Sequence, residues 1–269
     1  MLPPAQRDVD ARLALEVPTI GAEVWSCGGG TQSGAIASLI RSGRLPKPHI
    51  AFMTDTGRER SSTWPFVEGF IRPALASVGV DLRIVQASDF ARLDVYWNDT
   101  VLLPGYTNQS GEVGKLSPFC SGKWKQDVAE RWLRSIGVET CRNWIGISLD
   151  EARRIRAQHR PWLELWYPLI FEVPLRRHQC VELIRADGWT GHIPHSACFM
   201  CPNLSDAEWI DMKINWPVDF AAACELETET RLKDPHFFLH PVCIPLSEVD
   251  FLSQTTMFAE RGCTTGCFT

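Results

Sequence analysis

"WSCGGGTQSGAIASLI" (residues 25–40) leads from an apolar, strand-like stretch through three consecutive glycines to a serine that begins an apolar helical pattern. A glycine-rich turn between a strand and a helix presents backbone N–H groups at the positively polarised end of the helix, which suits a phosphate or a sulfate. No Gly-Lys-Ser/Thr follows, and the third glycine of a dinucleotide-binding G-x-G-x-x-G motif is replaced by Ser33. The turn therefore predicts an anion site outside both motifs, or else only a tight crossing of strand and helix.

The sequence around this turn alternates between strand and helix patterns. Strands are predicted at 22–27, 49–57, 81–88 and 143–148, and helices at 33–43, 64–79 (with a kink at Pro73), 123–137 and 176–189. This order predicts an α/β fold with a doubly wound, mainly parallel sheet. Ligands of such sheets bind at the carboxyl ends of the strands. Both the glycine turn and Asp55-Thr56-Gly57 fall at such ends.

Composition bounds the class of protein. The chain has 269 residues, 27 Lys and Arg against 32 Asp and Glu, and a net charge of −5, which argues against a general nucleic-acid binder. It has neither a signal-like apolar segment near residue 1 nor a membrane-spanning window, so we expect a cytoplasmic protein that does not bind membranes. We expect a lead-in (1–20), a nucleotide-binding α/β domain (21–175) with a loop or lid at 98–118, and a cysteine-bearing helical segment with a tail (176–269).

Six segments, in order, resemble the phosphoadenylyl-sulfate (PAPS) reductase branch of the PP-loop superfamily, over roughly residues 20–267. The first five are "GGGTQS" (28–33), "DTGRE" (55–59), "FCSGKWK" (119–125), "WIGISLDEARR" (144–154) and "YPLI" (167–170). The sixth combines "SACFMCPNLSDAEW" (196–209) with the tail "ERGCTTGC" (260–267), and it is similar to phage- and prokaryote-encoded members. The resemblance implies an adenine nucleotide alpha hydrolase-like fold. It also implies an adenine nucleotide as ligand, namely PAPS, adenylyl sulfate or ATP, with or without Mg²⁺.

The resemblance also implies which residues bind the nucleotide. They are Ser26, Gly28, Gly29, Gly30, Gln32, Ser33, Asp55, Thr56, Gly57 and Arg153, with Lys125 as a catalytic cation. A bulky residue at Gly29 would occupy the space of the anion, and Asp55 would hold a metal or a hydroxyl unless it only caps its turn. Thr31 and Gln32 stand where ATP-pyrophosphatase members have Lys-Asp, which favours an adenylyl sulfate over a triphosphate.

The spacing of the ten cysteines separates two groups. Cys198-x-x-Cys201 has the spacing of metal or iron–sulfur ligands, although a redox dithiol or a zinc site has the same spacing. Cys120 lies upstream at a separation similar to that in cluster-bearing adenylyl-sulfate reductases. The resemblance thus implies a [4Fe-4S] cluster on Cys120, Cys198, Cys201 and a tail cysteine, Cys263 or Cys267, with the other tail cysteine as nucleophile or resolving thiol; three ligands and an open iron are the alternative. The remaining cysteines lie in apolar or helical sequence contexts and are expected to be inert core thiols: Cys27, Cys141, Cys180, Cys224 and Cys243.

Two reactions follow from this resemblance. In the first, a tail thiolate attacks the sulfur of adenylyl sulfate or PAPS and a thiol reductant resolves the product. In the alternative, an ATP-dependent sulfur transferase adenylylates an acceptor such as tRNA or DNA and transfers sulfur that a donor protein supplies. The missing loop lysine favours the first reaction, and the extra tail cysteine favours the second. A nucleotide-binding module without turnover is the third hypothesis.

Overall fold

The computed structural model describes residues 18–97, 100–117, 119–156 and 160–252. The strands are β1 (Ala22–Ser26), β2 (Ile50–Asp55), β3 (Leu82–Gln86), β4 (Tyr96–Trp97), β5 (Thr100–Val101), β6 (Tyr106–Thr107), β7 (Gly114–Lys115), β8 (Cys141–Ile145), β9 (Leu163–Trp166) and β10 (Phe237–Phe238). The α-helices are α1 (Thr31–Arg41), α2 (Thr63–Phe66), α3 (Arg72–Ala76), α4 (Asp127–Ser135), α5 (Pro168–Phe171), α6 (Arg177–Ala186), α7 (Asp206–Asn215) and α8 (Pro217–Lys233).

The core is a five-stranded parallel sheet of order β3-β2-β1-β8-β9. Its strands are apolar on both faces, as in sheets that helices cover on both sides. On one face, Trp25 packs among residues of α1, α2 and α6; on the other, Val24 and Phe52 pack against Val128 and Trp132 of α4. The predicted α/β fold with a mainly parallel sheet is confirmed, and it is consistent with an adenine nucleotide alpha hydrolase-like fold.

Several elements differ from the prediction for local physical reasons. Pro73 lies at the start of α3, directly after a π-helical turn (Val67–Ile71), because proline has no N–H with which to continue an α-helical ladder. A second π-helical turn (Ser121–Gln126) opens the helix that continues as α4. The strand β9 was not predicted, since it is only four residues long and follows a basic stretch.

The predicted loop at 98–118 forms small hairpins instead of a plain lid in its described part. β6 pairs with β7 on one side and with β10 of the C-terminal segment on the other. This pairing joins the hairpin to a third apolar core, which includes Leu103, Trp124, Met200 and Trp209. The C-terminal segment is thereby fixed beside the sheet.

The predicted division of the chain near residue 175 stays a prediction. The helix α6, which follows that point, packs against α1 on the sheet. Helices α7 and α8 belong to the third core. Among the described residues, no helix is both long and apolar enough to cross a membrane.

Candidate functional site

A cleft opens at the carboxyl edge of the sheet, beside the point where the strand order reverses. The chain runs from β1 to β2 and β3 on one side, whereas β8 and β9 lie on the other side of β1. Such a switch point is where ligands of open parallel sheets bind. The polar and thiol side chains of the cleft are those of Gln32, Thr56, Cys120, Ser121, Lys125, Glu151, Arg154, His195, Ser196, Cys198, Cys201 and Asn203. Apolar residues of the third core, including Leu103, Trp124, Met200 and Leu204, form its other wall.

The glycine turn is held by contacts within its own surroundings. Gly28 N–H donates to Ser33 Oγ at 2.9 Å, so Ser33 locks the turn, and Ser26 Oγ donates to Asn143 Oδ1 at 2.9 Å and links β1 to β8. Gly29 has φ of +72°, and a Cβ there would lie 2.8 Å from Thr63 Cγ2. A side chain at Gly29 would therefore already meet Thr63 and Met53, and its effect on a bound anion stays a prediction.

Residues 194–196, which we call the strap, lie across the glycine turn. The Pro194 carbonyl accepts hydrogen bonds from Thr31 N–H at 3.1 Å and Thr31 Oγ1 at 3.2 Å, at the first residue of α1. Ser196 Oγ donates to the Gly28 carbonyl at 2.6 Å, and a Cβ on Gly30 would lie only 2.6 Å from Ser196 N. The strap thus occupies an N–H donor that an anion at this helix end would otherwise use.

The strap is anchored to α7 through His195. Its Nδ1 lies 2.7 Å from Glu208 Oε1, and the other oxygen of Glu208 accepts from the Ser205 N–H at 2.9 Å. Burial alone would raise the pKa of Glu208, but the hydrogen bonds from His195 and Ser205 lower it to about 2. Glu208 is thus a charged anchor for the strap.

Each cation of the cleft is paired with a carboxylate. Lys125 Nζ lies 2.9 Å from Oε1 of Glu59, whose side chain is 1% exposed and also accepts from Thr56 Oγ1 at 3.3 Å. Arg154 pairs with Glu151, and Gln32 Nε2 donates to Glu151 Oε2 at 2.6 Å. Lys125 also borders a small pocket between the ends of β1 and β2, so it stands at the wall between that pocket and the cleft.

Of the ten residues predicted to bind the nucleotide, two line the cleft, Gln32 and Thr56, and two others, Ser26 and Gly28, line the small pocket beside it. Asp55 accepts from Gly57 N–H at 2.7 Å and from Gln86 Nε2 at 3.3 Å, which is a turn cap, and neither Asp55 nor the exposed Gly57 lines the cleft. Arg153 is exposed, and its neighbour Arg154 lines the cleft in its place. Thr56, by contrast, lines the cleft as predicted from its place in the sequence.

Two carboxylates that pair with the cations of the cleft, Glu59 and Glu151, were not among the predicted site residues. Glu59 ends the quoted motif "DTGRE", so the motif itself contained the signal. Glu151 and Arg154 are three residues apart, which puts them on the same side of a helical turn and Arg153 on another. That spacing was the available signal for the arginine that lines the cleft.

The cleft brings together the three cysteines that the sequence analysis grouped. Cys120 N–H donates to the Leu102 carbonyl at 2.9 Å, and Cys201 N–H donates to the Cys198 carbonyl at 3.1 Å in a tight turn. All three are partly exposed and line the cleft. In the described ranges, no three His, Cys, Asp or Glu side chains are grouped so that they could hold a single metal ion. The tail cysteines, Cys263 and Cys267, lie outside the described residues.

The remaining cysteines have the surroundings expected of inert thiols. Burial raises the pKa of Cys27 to about 11, of Cys141 and Cys180 to about 12, and of Cys224 to about 11. It raises the pKa of Cys243 as well. These thiols stay protonated at neutral pH, and a protonated thiol is neither a nucleophile nor a metal ligand.

Comparison with known proteins found a distant structural likeness. No protein-family model matches the sequence, and no curated protein matches it. A solved structure, "U34-tRNA thiolase NcsA from Methanococcus maripaludis with its [4Fe-4S] cluster", aligns over 98% of this chain and 86% of its own, at 13% identity and a TM-score of 0.41. At that distance, the activity of this chain has to be derived from its own cleft.

Proposed function

We propose that this protein is a PP-loop-type, ATP-dependent sulfur transferase. The nucleotide lies at the carboxyl edge of the sheet, and the three cleft cysteines carry the sulfur chemistry. The observation that supports this most is the shared cleft, in which three thiols face two cations that carboxylates already neutralise.

The donor set fits an iron–sulfur cluster better than a zinc ion. Zinc needs its ligands around one ion, and the described residues contain no such group, whereas in a [4Fe-4S] cluster each thiolate binds a different iron. The apolar wall beside Cys120, Cys198 and Cys201 is a suitable shell, because burial and dielectric tune such clusters. These cysteines would hold the cluster, with Cys263 or Cys267 as a fourth ligand. When bound, it supplies iron that can hold the sulfur to be transferred.

The charge balance of the cleft favours a nucleotide that arrives with a metal ion. Lys125 and Arg154 are matched by Glu59 and Glu151, so the four side chains carry no net charge. Adenylyl sulfate or PAPS would bring its negative charges without a counter-ion, whereas ATP binds together with Mg²⁺. Oε2 of Glu59 is buried and has no hydrogen-bond partner among the described residues, so it is an acceptor that Mg²⁺ or its water can use.

The residues of the cleft have defined roles in this reaction. Lys125 and Arg154, each oriented by its glutamate, contact the phosphates while the carbonyl oxygen of the acceptor attacks the α-phosphorus and pyrophosphate leaves. A hydrosulfide then attacks the activated carbon, and AMP leaves with the oxygen. The apolar wall excludes water, which would otherwise hydrolyse the adenylylated acceptor.

Reduction of adenylyl sulfate or PAPS is the second candidate. Position 31 is threonine, which supplies no cation for outer phosphates, and its N–H is bonded to Pro194. Both facts favour a nucleotide with a short phosphate chain. In this candidate, Cys267 or Cys263 attacks the sulfate sulfur, and an external thiol reductant releases the product.

Anaerobic assays of the full chain distinguish these candidates. In the first assay, reconstituted protein is given MgATP, sulfide, and tRNA or DNA, and pyrophosphate and acceptor-bound sulfur are measured. In the second, it is given adenylyl sulfate or PAPS with a thiol, and sulfite is measured. The sulfur-transferase reaction is established if the protein contains iron and forms both pyrophosphate and a thiolated acceptor. Sulfite without pyrophosphate would establish the reductase, and binding without product would leave a nucleotide-binding module.

A matched pair of variants ties the activity to the cleft. Lys125→Met should lower product formation by at least about 100-fold, because the phosphates lose a positioned cation. Lys123→Met removes the same charge from an exposed side chain that pairs with Asp127, and it should leave the rate unchanged. Equal rates in both variants would remove Lys125 from the mechanism.

A further inference from the structure

Arg58 lies in the turn that follows β2. This turn pairs with residues 197–201, which we call the cysteine loop. The Arg58 carbonyl accepts from Phe199 N–H at 3.0 Å, and Glu59 forms an antiparallel bridge with Cys198. Backbone pairing therefore fixes the position of Arg58 relative to Cys198. This contact connects segments that are far apart in the sequence.

The Arg58 side chain is held against Trp124, a residue of the cleft wall. Its guanidinium carbon lies 4.5 Å from the centre of the Trp124 ring, and its Nη2 donates to the Leu93 carbonyl at 2.7 Å. Its Nη1 is buried and has no hydrogen-bond partner among the described residues. Trp124 lines the cleft, whereas Arg58 does not, so this cation packs against a residue of the cleft wall.

The charge of Arg58 acts on the cleft thiols. Burial lowers the pKa of Arg58, whereas the negative charges of Cys198, Asp94 and Cys120 raise it. A guanidinium remains charged even when it is partly buried. Two of the three cleft cysteines thus lie in the field of a fixed positive charge, and that field is stronger than in water because the surroundings are apolar.

We propose that Arg58 is a positioning residue whose positive charge stabilises anionic sulfur at Cys120 and Cys198. This inference rests on the proposed function, since it concerns the same cleft, but it names a group that the sequence pattern did not single out. A cluster held by thiolates becomes more negative when it is reduced, and a nearby cation stabilises that reduced form. Arg58 therefore raises the reduction potential of the cluster and favours the binding of hydrosulfide beside it.

Redox titration of the reconstituted full chain tests this inference. Arg58→Met should make the midpoint potential of the cluster more negative and lower sulfide-dependent product formation by about 10-fold or more. Arg58→Lys keeps the charge and should stay close to the wild type in potential. Lys123→Met, an equal charge change at an exposed side chain, should shift neither quantity.

Arg58→Gln is the second variant if Arg58→Met fails to fold, because glutamine can still donate to the Leu93 carbonyl and lie flat against Trp124. A wild-type potential in a folded, iron-loaded Arg58→Met or Arg58→Gln protein overturns the inference. So do equal shifts in Arg58→Lys and the uncharged variants, since these would mean a packing role. If only this inference fails, the wild-type protein still binds iron and still forms product. An absence of iron in the wild type removes the proposed function and this inference together.

Discussion

The cysteines in the cores beside the sheet and the cysteines of the cleft lie in different environments. Cys27 and Cys180 lie in the apolar core on one face of the sheet, and Cys141 lies in the core on the other face. Cys120, Cys198 and Cys201 lie only at the margin of the third core, where they line a cavity beside charged groups. The difference teaches that a thiol at the edge of an apolar core stays accessible from a cavity, whereas a thiol inside such a core does not.

Alkylation rates give the largest expected contrast between the two groups. In protein freed of metal and nucleotide, at pH 8, the thiolate fraction of Cys27, Cys141 and Cys180 is reduced at least about 100-fold by their raised pKa, and burial blocks access as well. We expect iodoacetamide to label the cleft cysteines at least about 100-fold faster. Peptide mass spectrometry measures the rates, and denatured protein, in which all sites react alike, is the control. Labelling of Cys180 as fast as that of Cys198 would break the comparison.

Gly30→Ala sharpens the comparison by loosening the strap that leads into the cysteine loop. Its Cβ would lie 2.6 Å from Ser196 N and 3.1 Å from Ser196 Cα, which are backbone atoms that must shift. We expect a loss of about 1–3 kcal/mol in unfolding free energy, measured by urea denaturation, and faster labelling of Cys198. Gly122→Ala is the matched control, because a Cβ there meets nothing within 4 Å and the residue is in a helical segment. Equal stability of the two variants would show that the strap gives way at no cost.

A pH effect at Glu208 is the smallest expected effect. Its folded-state pKa of about 2 lies below the ordinary value of 4.5, so its stabilising contribution is present above pH 4.5 and is lost as the pH falls toward 2. Between pH 5 and pH 3, the unfolding free energy of the wild type should fall by about 1–2 kcal/mol more than that of Glu208→Gln. The exposed Glu229→Gln variant should behave like the wild type. Parallel pH curves for Glu208→Gln and the wild type would mean that the anchor of the strap is not charged.

The sequence predicted the central sheet because the strands of that sheet are continuous apolar runs. β1, β2, β3 and β8 fall within or close to the predicted ranges, since burial on both faces demands such runs. The two-residue strands β6, β7 and β10 have no pattern of their own. They form because the β6–β7 hairpin pairs with the C-terminal segment. This is a tertiary contact between distant residues, so a short stretch of sequence does not predict it.

The candidate site was predictable where one motif carried its own geometry. Cys198 and Cys201 follow from their spacing, and the resemblance supplied Cys120 and Lys125. Thr31 and Pro194 are 163 positions apart, so the contact between them could not be predicted from the spacing of residues in a motif. Arg153 and Arg154 differ by one position, and only the direction of the helical turn decides between them. The roles of Cys263 and Cys267 stay predictions.

In the proposed function, the strap would also link the two ligands of the cleft energetically. The Thr31 N–H can serve one strong acceptor at a time, so a phosphate that takes it releases the Pro194 carbonyl. Cys198 follows Ser196 by two residues, and the freed strap changes the setting of the cysteine loop. Nucleotide affinity and the loop's affinity for sulfur then alter each other by the same factor, as linkage requires of any two sites that share a conformational equilibrium. If the proposed function holds, this one backbone hydrogen bond would make the cysteine loop sensitive to nucleotide binding.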